Sequence, residues 1–260
     1  MKASFPAEYA RTRKTLAKRL KVYLKDSNPE NVRSLRIAIR RMSLCIELLP
    51  KKIRKEEATQ ALVTSLDEAS KANAKVRDLD IVISKISAYK PEVSIDNQTG
   101  RVKETRDSKL QAARRQTLAL QKIPIPKVWE KDLSTLKLQK RLSKTTNQLI
   151  LEINGRLPLV LQDFNNVRDL HLLRIDCRRL RYLAELFRSK KTGRFLSRLR
   201  SWQSLLGFIH DCDLTIDYLR NLGEAPEIQP ILNDLVNQRN QSYEKFSSIA
   251  RPISPVSLTV

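Results

Sequence analysis

Glycine, aromatic residues, cysteine and acid are all scarce in this chain, and each shortage removes a class of protein. Five glycines in 260 residues are too few for the tight turns of a β-sandwich or barrel. Aromatics make up 5%, which leaves little surface on which nucleobases could stack. The three cysteines, Cys45, Cys177 and Cys212, are odd in number and lack CxxC spacing. They exclude a disulfide framework and fit a reducing, cytoplasmic setting. No apolar run reaches the roughly 18 residues of a membrane span. The first residues hold no apolar h-region, so no secretory leader is expected. No phosphate-cradling P-loop occurs, nor any E-x-E-x-K element.

Acid is short relative to base. Lys and Arg total 50 against 28 Asp and Glu, a net charge of +22. Self-repulsion of that size signals an anionic partner. Nucleic acid, an anionic membrane surface and an inorganic phosphate polymer are the classes to separate. Hydrophobic residues at 41% are ample for a core, so the chain is not a disordered basic tail.

Helical periodicity runs through nearly the whole chain, with no strand-like alternation. It predicts helices over about Pro6 to Lys25, Glu30 to Leu49, Lys52 to Tyr89 and Thr99 to Gln121. The third of these is expected to bend or break near Ala72-Asn73. The turn Asp26-Ser27-Asn28-Pro29 can cap the second helix. Ile123-Pro124-Ile125-Pro126 reads as a linker, after which the plan restarts. Further helices are expected at about Lys131 to Asn154, Asn165 to Phe187, Thr192 to Asn221 and Glu227 to Ala250. Leu205-Leu206-Gly207 is expected to be a close packing point, and the tail from Arg251 to be loosely ordered.

The restart is a duplication. Arg33-Ser-Leu-Arg36-Ile-Ala-Ile-Arg40-Arg41 aligns with His171-Leu-Leu-Arg174-Ile-Asp-Cys-Arg178-Arg179, and each continues to a glutamate at the same offset, Glu47 and Glu185. Val76-Arg77-Asp78-Leu79-Asp80 aligns with Ile209-His210-Asp211-Cys212-Asp213. The first pair of segments is offset by 138 residues and the second by 133. Two matches in one order at nearly one offset define a repeat of about 130 residues, with quasi-two-fold symmetry expected between its copies.

At about 100° per residue, Arg33, Arg36, Arg40 and Arg41 share one arc of a helix. Leu35, Ala38, Ile39, Met42, Cys45, Ile46 and Leu49 fill the other. The second copy sets His171, Arg174, Arg178, Arg179 and Arg181 against Leu173, Cys177, Leu180, Leu183, Ala184 and Phe187. Asp176 lies at the apolar edge, where it needs a basic partner. A solvated helix face ordinarily mixes signs, because like charges four residues apart are mildly destabilising. Arg36/Arg40 and Arg174/Arg178 break that rule, so the faces are read as ligand-binding. Arginine's planar fork suits phosphate.

These segments resemble the CHAD family, the conserved histidine α-helical domain. The resemblance rests on His171-x-x-Arg174-Ile with Arg178, Arg179 and Arg181, and on Leu206-Gly207-x-x-His210-Asp211-x-Asp213. The duplicate at Arg36 and at Arg77-Asp78-Leu79-Asp80 matches its first half. The resemblance spans about residues 5 to 250. It implies an all-α fold: two antiparallel four-helix bundles with internal pseudo-two-fold symmetry around a basic central groove or pore. Within one domain over residues 1–260, the halves are expected at 5–122 and 131–250. It also implies inorganic polyphosphate as the ligand and, for some members, residence at polyphosphate granules. One departure is clear: the histidine position of the first copy holds Arg33.

The expected polyphosphate contacts are therefore Arg33, Arg36, Arg40, Arg41, His171, Arg174, Arg178, Arg179 and Arg181. The track is widened by Arg11, Lys14 and Lys18 on the first helix, Arg141 and Lys144 on its counterpart, and Arg239 on the last. Asp78, Asp80, Asp211, Asp213, Glu47 and Glu185 are expected to orient the arginines. His171, Cys177, His210 and Cys212 are too irregularly spaced for a metal site, and no cofactor or catalysis is expected. The competing reading is a protein that binds the backbone of RNA or DNA.

Overall fold

The computed structural model describes residues 5–89, 96–129, 134–186, 193–223 and 226–251. Among them there are helices and connecting turns and no strand. The helices are α1 (Phe5–Lys25), α2 (Pro29–Leu48), the single turn α3 (Lys51–Arg54), α4 (Glu57–Ser87), α5 (Asp96–Lys122), α6 (Thr135–Gln162), α7 (Val167–Leu186), α8 (Gly193–Asn221) and α9 (Gln229–Ala250). Phe187, expected on the apolar arc of α7, lies outside the described residues.

The chain divides into two compact units. One takes Met1–Ile83 and Gly100–Leu142, the other Ser84–Thr99 and Ser143–Val260. The helices carried over from one half of the sequence thus end in the unit of the other. In the second unit the Tyr89 hydroxyl at the end of α4 donates to Asp234 of α9 at 2.7 Å. In the first unit Arg141 of α6 donates to the Leu48 carbonyl at the end of α2 at 2.6 Å.

Both units are built on apolar stripes at helical spacing. In the first, α1 packs on α2, burying Tyr9, Leu16, Leu20 and Tyr23 against Leu35, Ile39 and Met42. In the second, α8 packs on both α7 and α9. Leu199, Trp202, Leu206 and Ile209 meet a core that includes Leu173, Leu180, Leu235 and Phe246. The Trp202 and Phe246 rings contact edge to face at 5.6 Å.

The helix ends follow local chemistry. Asn28 accepts the Asn31 N–H at 2.9 Å and caps α2, with Pro29 at its first position. α4 runs unbroken through Ala72-Asn73, so the helix does not break there. Asn73 is fully buried, and its amide donates to the Ala69 carbonyl at 2.9 Å and to Thr117 Oγ1 of α5 at 3.0 Å. A residue that reads as a helix weakness thus places one amide N–H within its own helix and one across the helix interface. α6 passes its expected end at Asn154 and continues through Pro158 to Gln162. Leu149, Ile153, Leu157 and Val160 prolong one buried stripe. That burial, roughly 1.5–3 kcal/mol per large side chain, offsets the proline's lost hydrogen bond of about 3 kcal/mol. Gly207 is not a close packing point: a Cβ there would meet nothing within 4 Å, and only its neighbour Leu206 is core.

Candidate functional site

The repeat places one Arg–Asp pair in each unit. In the first, Arg106 Nε of α5 donates to Asp80 Oδ1 of α4 at 2.6 Å, and its Nη2 reaches the Ser27 carbonyl beyond α1 at 3.1 Å. In the second, Arg239 Nε of α9 donates to Asp213 Oδ1 of α8 at 2.8 Å, and its Nη2 reaches the Phe164 carbonyl beyond α6 at 2.7 Å. Arg and Asp are 26 residues apart in both cases. Each bond set closes the C-terminal end of the leading helix of its unit, where unsatisfied carbonyls and the negative end of the dipole favour a cation. Burial pushes the Asp80 and Asp213 carboxyls up, and the facing guanidiniums pull them back down. Arg114 adds a bond to the Leu24 carbonyl at 2.7 Å in the first unit. Tyr243 does the same for Val160 at 2.7 Å in the second.

These pairs correct the reading of Arg239 as a ligand contact. Its side chain is 6% exposed, and three of its nitrogens are engaged within the unit. Arg36 is likewise turned inward. It is buried on α2, and its Nη1 donates to the Ser70 carbonyl of α4 at 3.2 Å. Arg141 is half-buried, with one N–H committed to Leu48. Burial and the neighbouring Arg54 hold its pKa below the usual guanidinium value.

The remaining expected contacts lie on open or half-open helix faces. On α7, His171, Arg174, Arg178, Arg179 and Arg181 are all half-buried. Arg181 bonds Glu185 one turn on at 3.2 Å and lies over the Tyr182 ring at 5.0 Å. Asp176 finds the basic partner it needed in Arg156 of α6 at 2.8 Å, and burial raises its carboxyl. On α2, Arg40 and Arg41 are half-buried, while Arg33 is exposed and lies 3.7 Å from Glu30. On α1, Arg11 pairs with Glu8 at 2.8 Å, and Lys14 and Lys18 are exposed. Lys144 and Glu47 are exposed, and Asp78 and Asp211 are half-buried.

The least expected juxtaposition is that of the two histidines. His171 of α7 and His210 of α8 approach Nδ1 to Nδ1 at 3.2 Å, with ring centroids 4.7 Å apart. In a neutral pair one Nδ1–H donates to the other's lone pair. Burial holds the His171 pKa below 6.5, and Arg174 and Arg178 push it further down. The equivalents in the first unit are Arg33 and Arg77. The cysteines are buried. Burial raises the Cys45 thiol to about 12 and also pushes Cys177 and Cys212 upward, which leaves them poor nucleophiles. Among the described residues no group of three or more His, Cys, Asp or Glu is arranged to hold a metal ion. No helix among them is long and apolar enough to cross a membrane.

Motif reading missed the Arg106–Asp80 pair, although its signal was present. The 26-residue interval from Asp80 to Arg106 is repeated from Asp213 to Arg239.

Comparison with known proteins agrees with this architecture. The CHAD domain family model matches residues 9–220. A similar solved structure is the crystal structure of the CHAD domain from the plant Ricinus communis, with a TM-score of 0.62 and 18% sequence identity. The match covers 96% of this chain and 91% of that one; at this identity it speaks for the fold. No curated protein matches the chain.

Proposed function

The chain belongs to the CHAD domain family, and from that premise we propose that it binds inorganic polyphosphate without catalysis. The observation that carries the reading is the face of α7. Five imidazole or guanidinium side chains there remain partly open to solvent, and burial, then Arg174 and Arg178, hold the histidine among them below its usual pKa. Asp176 and Asp213 are engaged by Arg156 and Arg239, which lie on other helices. Arg40, Arg41 and Arg33 of α2 supply the corresponding face in the first unit, with Lys14 and Lys18 of α1 as exposed cations beyond; Lys144 is an exposed cation of the second unit. Binding by neutralisation and counterion release falls steeply with salt. Many modest contacts make affinity grow with polymer length. Cytoplasmic residence and association with polyphosphate granules belong to the same proposal.

A nucleic-acid backbone is the second reading, favoured by Trp129, 59% exposed beside Lys127. Against it, Tyr182, the aromatic residue of α7 itself, is buried, with Arg181 over its ring, so it offers no face to a base. Competition between long polyphosphate and single-stranded RNA, at equal phosphate concentration, decides between them. Polyphosphate is expected to win. Equal or tighter binding of RNA would overturn the proposal.

A further inference from the structure

We propose that a groove between α1 and the segment after α5 binds an acidic amphipathic peptide, a helical turn or two whose apolar side chains are flanked by carboxylates at both ends. The groove encloses about 420 Å³, within the roughly 300–1,000 Å³ of ligand-sized pockets. It lies wholly within the first unit.

Its construction explains the Ile123-Pro124-Ile125-Pro126 run, which polyphosphate binding leaves unused. Both prolines lack an N–H and resist the helix, so the chain leaves α5 extended. The Tyr9 hydroxyl of α1 donates to the Pro126 carbonyl at 3.1 Å and ties this segment back to α1. The half-buried side chains of Ile123 and Ile125 form one wall, continued by Leu120. The opposite wall is a single stripe of α1. Arg13 and Lys14 stand at one end, Ala17 and Leu20 in the middle, and Lys21 at the other end. At 1.5 Å per residue the stripe is about 12 Å long.

Charge and shape together select the occupant. The middle is apolar apart from Gln121 at its edge, both ends are cationic, and among the described residues no acidic side chain lines the groove. A polyphosphate chain has no apolar surface for Leu120, Ile123 and Ile125. An acyl anion has one charged head and would leave the cations at the far end without a partner. A short helix with leucines on one face and glutamates at both termini meets all three features, in the helix-in-groove manner.

The test uses the full chain and a fluorescein-labelled peptide, Glu-Glu-Leu-Ala-Ala-Leu-Leu-Glu-Glu, followed by fluorescence anisotropy. Ala17 is exposed, so Ala17→Trp fills the groove without disturbing the core. It is expected to weaken the peptide at least tenfold and to leave polyphosphate affinity and helicity unchanged. Arg13→Glu and Lys21→Glu, at opposite ends, should each weaken it several-fold. Equal binding by the wild type and Ala17→Trp would mean attraction to net charge alone and would overturn the proposal, as would no binding. Displacement of the peptide by decanoate, with only one of the two end variants impaired, would overturn it in favour of a single-headed acyl anion. Lys14 belongs both to this groove and to the polyphosphate track, so the test rests on Ala17, Arg13 and Lys21, which that track does not include.

Discussion

The two units of the chain share a skeleton and differ in what they mount on it. Offsets of 133 to 138 residues align Asp80 with Asp213, Arg106 with Arg239, and Arg40-Arg41 with Arg178-Arg179. The Arg–Asp pair and its bond to a helix-end carbonyl recur almost unchanged. Core filling does not recur. The same offset carries the buried Asn73–Thr117 bridge of the first unit onto Leu206 and Ala250, both buried and apolar. Ala69 and Ala113 map onto Trp202 and Phe246, which meet edge to face. Duplication preserved what is geometrically demanding, an ion pair held by two helices and a chain end. It let interchangeable volume drift. The cationic faces drifted in one informative way: Arg33 and Arg77 carry permanent charge where the second unit has the imidazoles of His171 and His210.

That comparison can be broken at its strongest point first. Arg106→Ala leaves the buried Asp80 and Arg239→Ala the half-buried Asp213 without its guanidinium, at a cost of up to about 3–5 kcal/mol. Urea unfolding should show both losses, and a loss under about 1 kcal/mol from either variant would end the equivalence of the two pairs. Next, Thr117→Ala should cost about 1–3 kcal/mol, because one N–H of Asn73 loses its acceptor. The double variant Asn73→Leu/Thr117→Ala copies the second unit and should recover most of that loss. If the double variant is less stable than the single, the two cores are not interchangeable at this position.

The ligand faces supply the smaller effects. Arg40→Ala/Arg41→Ala and Arg178→Ala/Arg179→Ala should each weaken polyphosphate by about tenfold or more, as expected when charge-assisted bonds are removed. Each should also flatten the salt dependence, by roughly 0.7–0.9 in log–log slope for every phosphate charge that is no longer neutralised. Unaltered titrations for one pair would confine the ligand to the other unit.

The smallest effect concerns protons. His171 ionises below 6.5 in the folded chain because of burial and its arginine neighbours. Its share of stability is therefore present above about 6.5 and is lost as the pH falls through the depressed folded value. A bound polyanion raises that value by opposing the arginines, so binding takes up a proton and tightens as the pH falls. His171→Arg makes the second unit resemble the first, and it should flatten this pH dependence while leaving affinity at neutral pH within a few-fold. An unchanged pH profile would assign the proton uptake elsewhere.

Much of this was legible in the residues taken one helix at a time. Apolar stripes at 3.6-residue spacing marked the helices, and Asn28-Pro29 marked a cap, because these are properties of a single helix and its ends. The duplication was legible because two motifs kept one order. Partnerships between helices were not. Arg239 read as a ligand contact, since nothing local distinguishes an arginine facing a ligand from one facing Asp213 across an interface. Asn73 read as a weakness because its acceptor, Thr117, is 44 residues away. Pro158 read as lying beyond the end of α6 because local propensity ignores the burial that carries the helix past it.

By itself the sequence determined an all-helical chain, its internal repeat and the cationic faces of α2 and α7, for each follows from periodicity and charge along one helix. Only the tertiary structure decided which cations stay open to a ligand and which are drawn inside. Burial against a second helix drew Arg36, Arg106 and Arg239 inward and brought His171 within 3.2 Å of His210. A guanidinium goes to whichever carbonyl or carboxylate the packing brings within reach, and that is a property of two helices together.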